Sequence, residues 1–211
     1  MKELNPAQRD ALAEVVNISF GRAVAVLARI LRLHIHMSVP HVTMMPTTKL
    51  VDYIFSVLTE PKTLTLVQQS FKGELFGEAV MVLSSVSGKE LVRVMSRTMP
   101  LPSLAPDKLE MEVLLEVGNI LISSCLGELA KLVGMDIGFD APEVFWHNLA
   151  PGAVRPPISA SLSEALVIRI ATSVEKSTIE GFLVVMLLEQ TWQKLVEGID
   201  ELLAQVEPAQ R

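Results

Sequence analysis

Asp10-Ala-Leu-Ala-Glu14-Val-Val-Asn17 returns as Glu112-Val-Leu-Leu-Glu116-Val-Gly-Asn119, 102 residues further on. In both copies 22 residues separate the Asn from a proline, Pro40 in one and Pro142 in the other. The two acidic positions, the Asn and the Pro all repeat at the same offset. A polar phrase that recurs this way within 211 residues marks an internal duplication with two equivalent polar sites.

The spacing places each phrase on a helix. Positions i, i+4 and i+7 fall in one narrow strip when successive residues turn by about 100°. Asn5 is suited to cap the first helix and Pro6 to its first turn, with the helix running to about Leu33. Leu12, Val16, Phe20, Ala23, Val24, Leu27 and Leu31 repeat at the helical period and form its apolar stripe, opposite Asp10, Glu14 and Asn17.

Beyond this helix the period becomes two. Ile35, Met37 and Val39 alternate with His34, His36 and Ser38, the pattern of a half-buried strand, with Pro40 inside it or at its end. A short helix is expected within Pro46 to Leu58. A hairpin is expected from Leu64–Phe71 and Leu75–Leu83, turning at Lys72-Gly73. Ser87-Gly88-Lys89-Glu90 has the form of a capping box for a helix that ends before Pro100.

The order then restarts. Asp107 opens a helix to about Leu132, closed by Gly134, and Ile137, Phe139 and Ala141 repeat the strand. Trp146 to Ser161 reads as a long Pro-rich loop. Leu166–Thr172 and Gly181–Leu188 form a second hairpin, and Gln190–Ala204 a final helix. We therefore expect one domain over 1–211, made of two repeats, about 6–99 and 107–205, joined by a Pro-rich linker at 100–106. Strands with one apolar face close a core most simply when the halves pair. The expected class is α+β, an α/β sandwich with a pseudo-two-fold and one continuous, mostly antiparallel sheet flanked by long helices.

Composition narrows the function classes. The chain has a formal net charge of −6 and its basic residues are scattered, which argues against nucleic-acid binding. A single cysteine, Cys125, permits no internal disulfide. The start of the chain lacks an apolar leader, and the longest apolar run, Phe182 to Leu188, is too short for a membrane span. A soluble cytoplasmic protein with no membrane insertion is expected.

Asn is a mediocre helix former, so its presence mid-helix in both halves calls for a reason. Two remain open from spacing alone: a cap for a loop or neighbouring helix end, or a functional amide. An Asn without a neighbouring base or metal cluster can hold a water through its donor and its acceptor. That suits a reaction whose electrophile is already activated, such as phosphoryl transfer, where positioning does most of the work. Glu14 and Glu116 would then hold a cationic side chain of a partner.

The pattern [Asp/Ser]-x-x-x-Glu-x-x-Asn, with Pro after 22 residues, resembles the CheC/CheX/FliY family of chemotaxis phosphatases. Glu14-Val-Val-Asn17-Ile-Ser-Phe-Gly21-Arg-Ala23 and Glu116-Val-Gly-Asn119-Ile-Leu-Ile-Ser-Ser are similar to the two copies found in CheC. The resemblance implies hydrolysis of the aspartyl phosphate on a CheY-like response regulator. Asn17 and Asn119 would orient the attacking water. Glu14 and Glu116 would pair with the regulator's active-site Lys. Asp10 and Glu112 would contact the partner. The phosphatase would carry no cofactor or metal of its own, the Mg²⁺ belonging to the regulator. The resemblance also admits a non-catalytic adaptor that binds a regulator, a CheD-like deamidase or a flagellar switch component. Two departures stand out: Glu112 replaces the usual Asp or Ser, and Val16 stands where the second copy has Gly118.

Other polar residues have plainer explanations. His34 and His36 lack a third ligand at a recognisable spacing and read as a solvated face. Ser123-Ser124 lacks the context of a nucleophile elbow. Cys125 reads as a small core residue, and Trp146 and His147 as surface packing.

Overall fold

The computed structural model describes residues 4–57, 63–97, 106–148, 162, 164–174 and 177–206. Within these, each half runs helix, two short strands and a hairpin, then a helix; the first half inserts one more helix before its hairpin. The first half comprises α1 (Pro6–Leu31), β1 (Ile35–Met37), β2 (His41–Pro46), α2 (Thr47–Val57), β3 (Thr63–Gly73), β4 (Gly77–Ser84) and α3 (Ser85–Met95). The second comprises α4 (Pro106–Leu132), β5 (Ile137–Phe139), β6 (Glu143–Asn148), β7 (Glu164–Val174), β8 (Ser177–Leu187) and α5 (Glu189–Val206).

The described strands form one eight-stranded sheet in the order β1-β7-β8-β4-β3-β5, with β2 beside β7 and β6 beside β3. Every pairing among them is antiparallel. The two hairpins meet at β4 and β8, where Val80 faces Val184. Each half lends its two short strands to the other: β1 and β2 pair with β7, while β5 and β6 pair with β3. The halves thus exchange edges, and neither sheet edge is complete without the other half.

The sheet buries both faces. Val67, Phe71, Met81, Leu83, Leu166, Ile168, Leu183 and Val185 join one core with the buried stripes of α1, α4, α3 and α5. Their neighbours Leu66, Val80, Val82, Val167, Phe182 and Val184 point the other way, into a smaller core under α2. This alternation along each strand is the period-two rule acting on a sheet covered on both sides.

The first helix begins as its sequence dictates. Asn5 Oδ1 accepts from the Gln8 backbone N–H, and Gln8 Oε1 accepts in return from the Asn5 backbone N–H, each at 2.9 Å. Gln8 Nε2 also donates to Asp200 Oδ1 at 2.8 Å, tying this end to α5. The helix stops where Arg32 adopts the left-handed conformation at φ 53°. At the end of α4, Gly134 takes φ 72°, a conformation open to glycine at little cost. The stripe residues Leu12, Val16, Phe20, Ala23, Val24 and Leu27 are all buried. The side chain of Leu31 lies outside the described residues.

Several boundaries differ from the sequence expectation. Lys72 and Gly73 belong to β3, and the turn falls at residues 74–76. The third helix is capped by Ser84, whose side chain accepts from the Ser87 N–H, because β4 runs into the helix with no loop between. Pro106 is already the first residue of α4. The remainder of the 100–106 linker, and residues 149–161 of the Pro-rich loop, lie outside the described residues. The strands β2 and β6 were not anticipated as separate elements.

By length and hydropathy, α1 and α4 are each apolar enough to cross a membrane, but about half of each window is buried in the protein. Their apolar character belongs to the core.

Candidate functional site

The two polar strips lie on α1 and α4, which pack against each other and are linked by an ion pair between Arg22 and Glu128. Asp10 and Glu14 are exposed, and Asn17 is half-buried. The second strip repeats this gradient, with Glu112 and Glu116 exposed and Asn119 half-buried. Each Asn therefore sits at the base of its strip, with carboxylates above it in solvent. Among the described residues, neither Asn caps a helix end.

The repeated proline also acquires a place. Pro40 lies in the break between β1 and β2, and Pro142 in the break between β5 and β6. Proline supplies no backbone donor, so the ladder is interrupted there. In the second half the interruption leaves the carbonyl of Asp140 free for a side chain. Gln69, on the inward face of β3, donates from Nε2 to Asp140 O at 2.8 Å and to Asn119 Oδ1 at 2.9 Å. The Asp140 backbone N–H donates to Ser70 O, and its carboxylate pairs with Lys72 Nζ at 2.7 Å. Ser123 Oγ donates to the backbone carbonyl of Asn119.

The first strip lacks this support. The register pairs Gln68 with Glu143 and, correspondingly, Arg169 with His41, so the counterpart of Gln69 is Ile170. The counterparts of Lys72, Asp140 and Ser123 are Ser173, Ser38 and Gly21. Among the described residues Asn17 makes no side-chain hydrogen bond. The backbone seats differ as well. Gly118 lets α4 lie directly on β3, since a Cβ there would meet Val67 Cγ1 at 2.5 Å. Val16, in the equivalent place on α1, fills its own space and is fully buried.

Sequence reasoning found the strips but missed Gln69 and Asp140. A signal existed: Gln69 is a polar residue at a core-facing position, between Val67 and Phe71 in the alternation of β3. Of the residues set aside earlier, Cys125 is buried with its thiol pushed up to about 12 by burial, as befits a core residue. Trp146 is 45% exposed on β6, and His36 is exposed on β1. The side chain of His147 lies outside the described residues.

A family model for CheC-like proteins matches residues 8–44, which hold the first strip, β1, Pro40 and most of β2. A curated relative, the CheY-P phosphatase CheC of Bacillus subtilis (strain 168), is 27% identical over 139 residues, and the match spans 65% of this chain and 65% of the relative. The crystal structure of Thermotoga maritima FliY superposes with a TM-score of 0.74 at 21% identity, covering 94% of this chain and 98% of that one. Over residues 8–44 the chain is similar to the CheC-like family. The middle domain of FliM from H. pylori is also similar in fold, with a TM-score of 0.58 at 12% identity over 92% of this chain and 99% of that one. These two structural likenesses establish the fold. The matched family segment contains Asp10, Glu14 and Asn17, while the second strip lies beyond it.

Proposed function

We propose that this protein is a phosphatase for the aspartyl phosphate of a CheY-like response regulator, acting in the cytoplasm through two sites in one 1–211 domain of two repeats. The observation that carries the proposal is the repeated gradient of exposure. In each strip a half-buried Asn lies below exposed carboxylates, as a docking surface with one amide aimed at the reacting group requires.

In this mechanism Glu14 or Glu116 pairs with the active-site Lys of the regulator and sets the docking geometry. Asp10 or Glu112 contacts the partner beside it. Asn17 or Asn119 holds a water in line with the phosphorus. A new bond forms between the water oxygen and phosphorus while the bond from phosphorus to the aspartyl oxygen breaks. The electron pair of the broken bond stays on the regulator's carboxylate, and the water's proton leaves to the phosphate or solvent. When bound to the regulator, Mg²⁺ would supply charge to offset the phosphoryl group, and no cofactor is assigned to the phosphatase itself. The amide contributes by placing the nucleophile, not by taking its proton.

The test is phosphate loss from CheY-like receiver domains in Mg²⁺, with and without the protein. Glu14→Ala and Glu116→Ala are expected to raise KM more than they lower kcat, because they act in docking. The relative named CheY-P phosphatase favours catalysis, while the likeness to the FliM middle domain concerns the fold alone. Binding to a receiver, a CheD-like protein or a flagellar switch component without faster phosphate loss would support the adaptor instead.

A further inference from the structure

We propose that Gln69 is a positioning residue for Asn119, and that it makes the second site the pre-organised one of the two. This rests on the phosphatase activity proposed above.

The orientation of both amides follows from chemistry. The backbone carbonyl of Asp140 only accepts, so Gln69 must face it with its NH₂ group. The same nitrogen lies 2.9 Å from the Asn119 side chain, which must therefore present Oδ1. The amide Nδ2 of Asn119 is left pointing away from Gln69. One lone pair of Oδ1 is used, and the other remains available together with the two Nδ2 hydrogens. Donation into Oδ1 also polarises the carboxamide and strengthens Nδ2 as a donor. A water met by this amide meets a single orientation of it. Asn17, opposite Ile170, has no such partner among the described residues and is free to flip.

Gln69 is a poor choice for folding alone. It is 1% exposed, and its Oε1 is buried without a hydrogen-bond partner among the described residues. An apolar residue would suit the strand, and Ile170 occupies the equivalent place in the other half. A buried amide oxygen left unpaired weakens the native state. The benefit lies in what its Nε2 holds. The anchor is itself fixed, because Asp140 is pinned by Ser70 O and by Lys72.

The experiment compares Gln69→Met, which keeps the volume and removes the donor, with the parent in an Asn17→Ala background. A CheY-like receiver phosphorylated by a small-molecule phosphodonor in Mg²⁺ is the substrate. Gln69→Met is expected to lower kcat about five- to tenfold with KM unchanged, while the urea midpoint stays level or rises. A purely structural role would lower the midpoint and shift kcat no further than the folded fraction. Unchanged kcat, or activity residing in Asn17 alone, overturns the proposal. Side-chain ¹⁵N relaxation gives a reading that needs no activity. In proteins that keep Asn17, the Asn119 NH₂ is expected to be rigid with Gln69 present and mobile in Gln69→Met, with Asn17 mobile in both. Equal mobility of Asn119 in the two proteins overturns the positioning role, whereas rigid Asn119 in a protein that accelerates no receiver overturns the phosphatase activity on which the proposal rests.

Discussion

Gly118 lies so close to Val67 that a Cβ in place of its hydrogen would come within 2.5 Å of Val67 Cγ1. Val67 is fully buried in β3 and cannot swing away, so the glycine sets the distance between α4 and the sheet. That distance brings Asn119 within reach of Gln69, two residues along the same strand. The helix seat and the site geometry are thus one feature.

Gly118→Ala is expected to destabilise the fold. Overpacking a tight contact costs about 1–3 kcal/mol, offset in part by the roughly 1 kcal/mol that Ala gains over Gly in a helix. A net loss of about 1 kcal/mol is expected in urea denaturation. In an Asn17→Ala background, phosphate loss should fall further than the folded fraction accounts for, since α4 must lift from β3. Unaltered stability and activity would show that the contact does not set the seat.

The cap of α1 tests a different link. Asn5→Ala removes the acceptor for the Gln8 N–H and is expected to cost about 1 kcal/mol. Gln8→Ala removes the reciprocal bond and the tie to Asp200 as well, and is expected to cost about 2 kcal/mol. The order of the two urea midpoints checks this. Equal losses would mean that the contact with α5 contributes little.

Cys125 gives a dependence on pH. Its thiol is fully buried in α4 and burial pushes it up to about 12. In the unfolded chain the thiol ionises near its ordinary value, about 8.5. The raised native value means that the folded state holds the proton longer. Stability from this group is therefore complete below about pH 8.5 and is lost as pH rises toward 12, by about 1.4 kcal/mol per pH unit. Cys125→Ser is expected to lose that slope. At neutral pH a thiol reagent should label the native protein only as fast as it opens. Rapid labelling without unfolding would contradict the buried placement.

Much of the fold was legible because its signals are local. Asn5, Pro6 and the stripe from Leu12 to Leu27 state a helix within a few turns, and the repeated strip states a second. The hairpins showed as apolar runs. What stayed hidden was non-local. Nothing in His41–Pro46 says that it pairs with β7 in the other half, and the residues before Pro40 and Pro142 drew attention away from the strands that follow. The cap of α3 was misplaced by three residues, because Ser84 ends a strand and caps a helix at once. In the two strips, the four charged residues and the two Asn were singled out from spacing. Gln69 was passed over because one polar residue in an apolar strand gains meaning only when its neighbours across the sheet are known. The asymmetry foreseen at Asp10 and Glu112 is accompanied by a deeper one, with Gln69, Asp140, Ser123 and Gly118 facing Ile170, Ser38, Gly21 and Val16.

Asn17 and Asn119 are proposed to place the attacking water. The most direct measurement is the rate of phosphate loss from a phosphorylated CheY-like receiver in Mg²⁺, with the parent protein, each single Asn→Ala variant and the double variant. Removing a nucleophile-positioning group of this kind typically costs about a hundredfold or more. The double variant is expected to return the receiver to its spontaneous rate while still binding it, and each single variant to retain part of the acceleration, more with Asn119 intact. A double variant that accelerates phosphate loss as well as the parent would mean that neither Asn places the water.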